Sequence, residues 1–213
     1  KFWLILFTLI SCLGAFTFWF AYPLSSSIIL VLCILVISNL SFELGGVVYN
    51  SLIPNFAIQN KIGEISGKAW ATGYVGGIVC LLIILFGFVQ TDNPLFGISK
   101  ENSAHIRIAG PIVAIWFLIF SLPLFYNISF SKEKLIKQNK SLIQEVINNF
   151  KKIFSYNDLG KFLLARMIYT DGLNTLFAFG GLYASGTFGM NFSEIIVFGI
   201  MINITAGIGA LFF

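Results

Sequence analysis

Long apolar runs alternate with short polar connections along this chain, and six of the runs reach the length needed to cross a bilayer. Spanning about 30 Å of hydrocarbon at 1.5 Å rise takes about 20 residues. The runs cover roughly residues 2–21, 27–53, 67–90, 105–127, 161–187 and 192–213. Each is expected to be an α-helix, because only a helix satisfies all its own backbone hydrogen bonds in lipid. The first run exceeds the roughly 7–15 residues of a signal-peptide core, and more spans follow, so it is expected to be a mature helix. The chain opens on Lys1 at the edge of a span, without an initiator Met, and is expected to be part of something longer.

The connections differ in character. Tyr22 to Ser27 is an uncharged turn, Pro54 to Ser66 carries Lys61 and Glu64, Thr91 to Ala104 carries Asp92, Lys100 and Glu101, and Phe188 to Ser193 is a short turn containing Gly. The longest connection, about 129–160, holds Lys132, Lys134, Lys137, Lys140, Lys151 and Lys152. Its apolar residues Leu135, Leu142, Ile143, Val146, Ile147, Phe150 and Ile153 recur at steps of mostly three and four, which predicts an amphipathic helix lying on the membrane surface. If Lys1 is cytoplasmic, eleven of the thirteen basic residues fall on the cytoplasmic side and only Lys100 and Arg107 fall outside, as the positive-inside rule requires.

Composition agrees with this pattern. Of 213 residues, 57% are hydrophobic and 10% charged, with 24 Phe, whereas soluble domains carry roughly 25% charged residues. The net charge of +4 resides mainly in loops rather than on an aromatic-laced patch, which argues against nucleic acid. Cys12, Cys33 and Cys80 all lie in apolar runs, with neither disulfide nor zinc spacing. The segment Gly63 to Ala69 brushes against a phosphate-binding loop but has one residue too few between its glycines, and Ala69 stands where Ser or Thr must meet Mg²⁺. His105 has no second ligand near it in sequence and no catalytic triad is visible, so neither an enzyme nor a cofactor is expected.

A charge inside hydrocarbon costs at least about 2.5–3.5 kcal/mol on insertion scales, so intramembrane carboxylates are the candidate chemistry. Glu43 lies near the middle of the second run, with Asn50 seven residues on and on the same helical face. Asp171 lies about ten residues into the fifth run, with Asn174 and Thr175 three and four residues on and Arg166 about one turn before it. Each carboxylate either lines a cavity as a protonatable or solute-contacting group, or pairs with a basic group to hold helices together. Arg166 is open to the same two roles. Asn203 in the last run is a lining or a packing group. Gly63, Gly67, Gly73 and Gly77 form two small-xxx-small pairs that favour close helix contact.

Four strings carry a family resemblance: Tyr49-Asn50-Ser51-Leu52-Ile53-Pro54; Ser66 to Gly77, which reads SGKAWATGYVGG; Leu164 to Gly172, which reads LARMIYTDG; and Phe179 to Met190, which reads FGGLYASGTFGM. Together they resemble the vacuole-effluxer, autophagy-related branch of the major facilitator superfamily. Lys68 departs from the uncharged residue expected there. The resemblance implies an all-α polytopic membrane protein, the central part of a twelve-helix fold. Residues 1–128 would be the last four helices of the N-terminal bundle, 129–160 a cytoplasmic linker, and 161–213 the first two helices of the C-terminal bundle. It also implies a secondary transporter in a bacterial inner membrane, moving a small solute by alternating access. Amino acids are a candidate solute, since eukaryotic members are linked to their export from the vacuole, and protons are a candidate coupling ion. Glu43, Asn50, Arg166, Tyr169, Asp171, Asn174 and Thr175 would contact solute or coupling ion. The alternative is a membrane scaffold or sensor that transports nothing.

Overall fold

The computed structural model describes residues 1–23, 28–53, 61–127, 144, 148, 151–152 and 157–212. Six long helices stand where the apolar runs predict them. They are α1 (Phe2–Thr17), α2 (Ile28–Asn50), α3 (Ile62–Ile84), α4 (Ala109–Asn127), α5 (Asn157–Phe188) and α6 (Phe192–Phe212), and no strand occurs among the described residues. A 3-10 turn, Phe18–Phe20, prolongs α1, and a π-turn, Leu85–Val89, prolongs α3. A single turn, Ala104–Arg107, leads into α4. The predicted surface helix of residues 129–160 falls almost entirely outside the described residues.

Among the described residues, five helical stretches are long and apolar enough to cross a membrane: Phe2–Phe20, Ile28–Asn50, Ile62–Val89, Glu101–Asn127 and Phe192–Phe212. The fifth predicted span, 161–187, is helical over its whole length, as α5, but is not among these five. Lys161, Arg166, Asp171, Asn174 and Thr175 dilute its apolar character, and those polar groups are also what make it a candidate for lining a path.

By compactness, α1 to α4 group with α6, while residues 131–191, which contain α5, form a second unit. In the first unit α1 packs antiparallel against α2: Ser38 Oγ donates to Ser11 O at 3.0 Å, and Gly45 faces Phe7. Helix α4 is antiparallel to α1 as well. A Cβ at Gly110 would lie 2.5 Å from Ala15 O, and one at Gly14 would lie 2.6 Å from Ser38 Cβ, so the three backbones approach at distances only glycine permits. Leu4, Leu52, Val48, Leu124 and Phe125 close one end of this group.

Helices α3 and α6 form the second seam. Gly67 meets Ala210 O, Tyr74 meets Gly207, Gly77 meets Asn203 and Leu81 meets Gly199, an antiparallel register held along the whole contact. Cys80, Ile84 and Leu85 of the α3 run pack with Ile196 of α6, and with Ile112 and Trp116 of α4, at the opposite end from Leu4. The predicted glycine stripe is therefore half used. Gly67 and Gly77 face α6, but a Cβ on Gly63 or Gly73 would meet nothing within 4 Å.

Few side chains are buried, and large apolar ones cover the outside of the first unit. In water such a surface would aggregate, whereas lipid is an equivalent solvent for it and leaves packing of small residues to join the helices. Aromatic residues mark the ends: Trp3, Tyr49 and Tyr126 lie at the Leu4 end and Trp19 and Tyr22 at the other, the positions where amphipathic rings meet headgroups.

Candidate functional site

On α2, Ser38, Ser41 and Gly45 turn toward α1, and this face buries Ser41. Glu43 and Asn50 occupy the other side of the helix, in a row with the exposed Val36, Leu40 and Val47. Nothing described in the first unit covers that row, and among the described residues Glu43 has no hydrogen-bond or ion-pair partner. An acid thus stands in an apolar stripe about two-thirds of the way along a helix long enough to span.

On α5, Arg166, Tyr169, Asp171, Asn174 and Thr175 are all exposed within their own unit. Helical geometry divides them. Asp171, Asn174 and Thr175 share one face, while Arg166, five residues before Asp171, is turned about 140° from it. Tyr169, two residues before Asp171, lies on nearly the opposite side. The predicted alternative of an Arg166–Asp171 pair is not formed, and that separation is the reason. The five residues are therefore two groups, an acid–amide–hydroxyl row and an Arg–Tyr row.

Asn203 is expected from the sequence to line a cavity or to link helices. Its Nδ2 instead donates to Gly199 O of its own helix at 2.8 Å, and its Oδ1 lies 3.4 Å from where a Cβ on Gly77 would stand. Bonding within the helix lets the amide sit in the seam without an unsatisfied donor. Lys68 pairs with Glu64 one turn earlier at 2.5 Å. No group of three or more potential metal ligands occurs among the described residues.

Arg107, a topological exception in the sequence, is a heavily partnered charge. Arg107 donates from Nη1 to Trp19 O and from Nε to Asn102 O at 3.1 Å. Its guanidinium also lies over the rings of Tyr22, 4.0 Å away, and Trp19, 5.2 Å away. It ties the end of α1 to the start of α4. The only sequence signal was a basic residue on the wrong side for its sign. Lys100, the other exception, lies 3.5 Å from Asp92.

The chain matches the family described as "Vacuole effluxer Atg22 like" over residues 1–213. It is 26% identical to autophagy-related protein 22 of Vanderwaltozyma polyspora, over 97% of this chain and 45% of that protein. It is 25% identical to the uncharacterized MFS-type transporter YxiO of Bacillus subtilis, over 74% of this chain and 37% of that protein. The chain thus spans less than half the length of these curated relatives. No solved structure matches it significantly. With apolar helices throughout and a family match from the first residue to the last, the chain belongs to the Atg22-like vacuole effluxer family.

Proposed function

We propose that this chain is the central part of a secondary active transporter of the major facilitator type, which moves a small solute across the membrane by alternating access. Glu43 on α2 and Asp171 on α5 are the groups that bind a proton or contact the solute, with Asn50, Asn174 and Thr175 beside them. Arg166 and Tyr169 form a second polar row that would serve a different part of the same path. Residues 1–128 and 161–213 belong to the two halves of the transporter and 129–160 joins them on the cytoplasmic side. In a bacterium the membrane is the inner one. The solute class we favour is amino acids, whose ammonium groups suit unpartnered carboxylates.

The observation that carries this reading is the match to the effluxer family over the whole chain, together with two carboxylates that stand inside apolar helical runs. A purely structural acid in a membrane helix is paired, because leaving it alone in hydrocarbon costs several kcal/mol. Glu43 and Asp171 have no such pairing among the described residues. The orientation is supported by the two basic residues that oppose it, since Asp92 and the Trp19–Tyr22 cage absorb their charge locally.

The test is flux. The complete protein in proteoliposomes, screened against amino acids with and without an imposed proton gradient, should accumulate at least one of them. Absence of flux for every solute, together with unchanged thermal stability in their presence, would favour the scaffold alternative.

A further inference from the structure

The connection between α3 and α4 holds an apolar island, Leu95-Phe96-Gly97-Ile98, between the polar stretches Gln90 to Pro94 and Ser99 to Ser103. Gly97 N–H donates to Pro94 O at 3.2 Å, closing a tight turn. The third residue of that turn is Phe96, at φ 60° and ψ 16°. This left-handed position is normally filled by Gly or Asn, because a side chain there is strained. Phe96 is nevertheless 91% exposed, while Leu95 is half-exposed and packs beside Gly87. A strained backbone that presents a large ring to water would combine two costs with no return.

The surroundings fix where this ring stands. The π-turn Leu85–Val89 and the Ala104–Arg107 turn flank the connection, and the helices on both sides are long and apolar enough to span. The Phe96 ring lies near the buried Phe88, with centroids 6.3 Å apart and planes inclined at 26°, but keeps both faces largely open. The loop tip therefore stands at the rim of the bundle, where lipid-facing surface gives way to water. Trp19 and Tyr22 lie at the same end. Asp92 and Lys100 pair with each other on either side of the tip, which leaves its apolar surface as its main means of attachment.

We propose that the Leu95–Phe96 tip is a membrane anchor that inserts into the boundary between headgroups and acyl chains, and that the bilayer surface is the partner of the exposed Phe96 ring. Burial of the ring in lipid returns what the left-handed backbone costs, the two quantities being of the same order. The anchor pins the end of the α3–α6 seam, since Phe88 lies near the ring and Leu85 packs with Ile196 of α6. The inference rests only on the flanking helices crossing a membrane and holds for either orientation and for any function of the protein.

Site-specific fluorescence tests it. In the complete protein with every native cysteine replaced by Ala, Cys12, Cys33 and Cys80 among them, an environment-sensitive dye is attached at Phe96→Cys or, for comparison, at the exposed Asn93→Cys. The proteins are reconstituted in phosphatidylcholine vesicles containing lipids with nitroxides at shallow or deep positions. The dye at position 96 should emit to the blue of that at 93. Shallow nitroxides should quench it more than deep ones, and aqueous iodide should quench it several-fold less than at 93. Iodide quenching equal to that at 93 would overturn the proposal by placing the tip in water. Quenching by neither agent would overturn it by placing the tip under protein. Should the cysteine variants fold poorly, Phe96→Trp in the native background keeps a ring near Phe88. Its emission above the wild-type background should be quenched by lipids brominated near the headgroup, and a lack of such quenching also overturns the anchor.

Discussion

The rim around Arg107 and the apolar stripe of α2 treat charge in opposite ways. At the rim a guanidinium gives hydrogen bonds to two carbonyl oxygens and lies over two rings. On α2, about two-thirds of the way along, Glu43 stands among apolar neighbours with none of these among the described residues. The contrast separates two reasons for keeping a charge in a membrane protein. A charge surrounded by fixed partners holds the fold, and its removal should be felt in stability. A charge without partners costs the fold several kcal/mol and, on the function proposed above, is kept for something it meets in operation. On that reading Asp171 is of the second kind, because helical geometry keeps Arg166 away from it.

The largest effect should come from Asp171. Asn imitates a permanently protonated carboxyl, so Asp171→Asn in the complete protein should abolish proton-driven accumulation while sparing exchange of solute down its gradient. Glu43→Gln should reduce transport as well. Neither should lower the thermal unfolding temperature, since no ion pair is broken. A clear drop in stability for either, with transport per folded molecule unchanged, would turn that acid into a structural one and remove the contrast.

Arg107 should behave in the reverse manner. Arg107→Ala removes two charge-assisted hydrogen bonds and two ring contacts, which summed at ordinary values come to about 4–8 kcal/mol, an upper bound because the contacts share one group. Folded yield and unfolding temperature should fall, while transport per folded molecule remains. Arg107→Lys should fall between, because an ammonium keeps the attraction to the rings but cannot reproduce the guanidinium fork. A wild-type unfolding temperature for Arg107→Ala would mean that α1 and α4 are held by their glycine contact alone.

Much of this was legible in the sequence. The second run, expected at 27–53, is the helix Ile28–Asn50, and the last, expected at 192–213, is Phe192–Phe212. Lipid enforces helix wherever an apolar run is long enough, so length and hydropathy suffice. The third run begins earlier than expected, at Ile62 rather than about 67, where Glu64 and Lys68 pair along the first turns. Glu43 and Asp171 were visible as carboxylates in apolar context, and their neighbours at three, four and seven residues followed from helical periodicity. The partners of Arg107 were not visible. Trp19 is 88 residues away, and nothing local to Arg107 indicates which helix end will lie beside it. For the same reason the glycines of α3 looked alike, although only some of them face α6.

Glycine substitutions sharpen that point at a smaller scale. Gly67→Ala places a Cβ 2.7 Å from the Ala210 carbonyl oxygen, a backbone atom that cannot move aside without separating α3 from α6. Overpacking of this kind costs about 1–3 kcal/mol. Gly63→Ala, four residues earlier and with open space around it, should be neutral or slightly stabilising by helix propensity. Thermal unfolding of the two single variants should therefore move in opposite directions, or at least differ clearly. Equal effects would mean that the α3–α6 register differs from the one described.

The smallest effect belongs to Lys68. Its ammonium is 2.5 Å from Glu64, but the side chains are 65% and 54% exposed. At that exposure water and salt screen the attraction, and pairs one turn apart on a helix contribute about 0.3–0.5 kcal/mol. Lys68→Ala should lower stability by no more than this, and the difference should shrink in high salt, because an exposed pair is screened within about 8–10 Å at physiological ionic strength. Glu64→Gln should do the same, and the double variant should cost less than the two singles added, since the second substitution has no pair left to break. A loss for Lys68→Ala several times larger and insensitive to salt would show that the lysine meets a second partner, and would make it a fixed, structural charge like Arg107 rather than a solvated one.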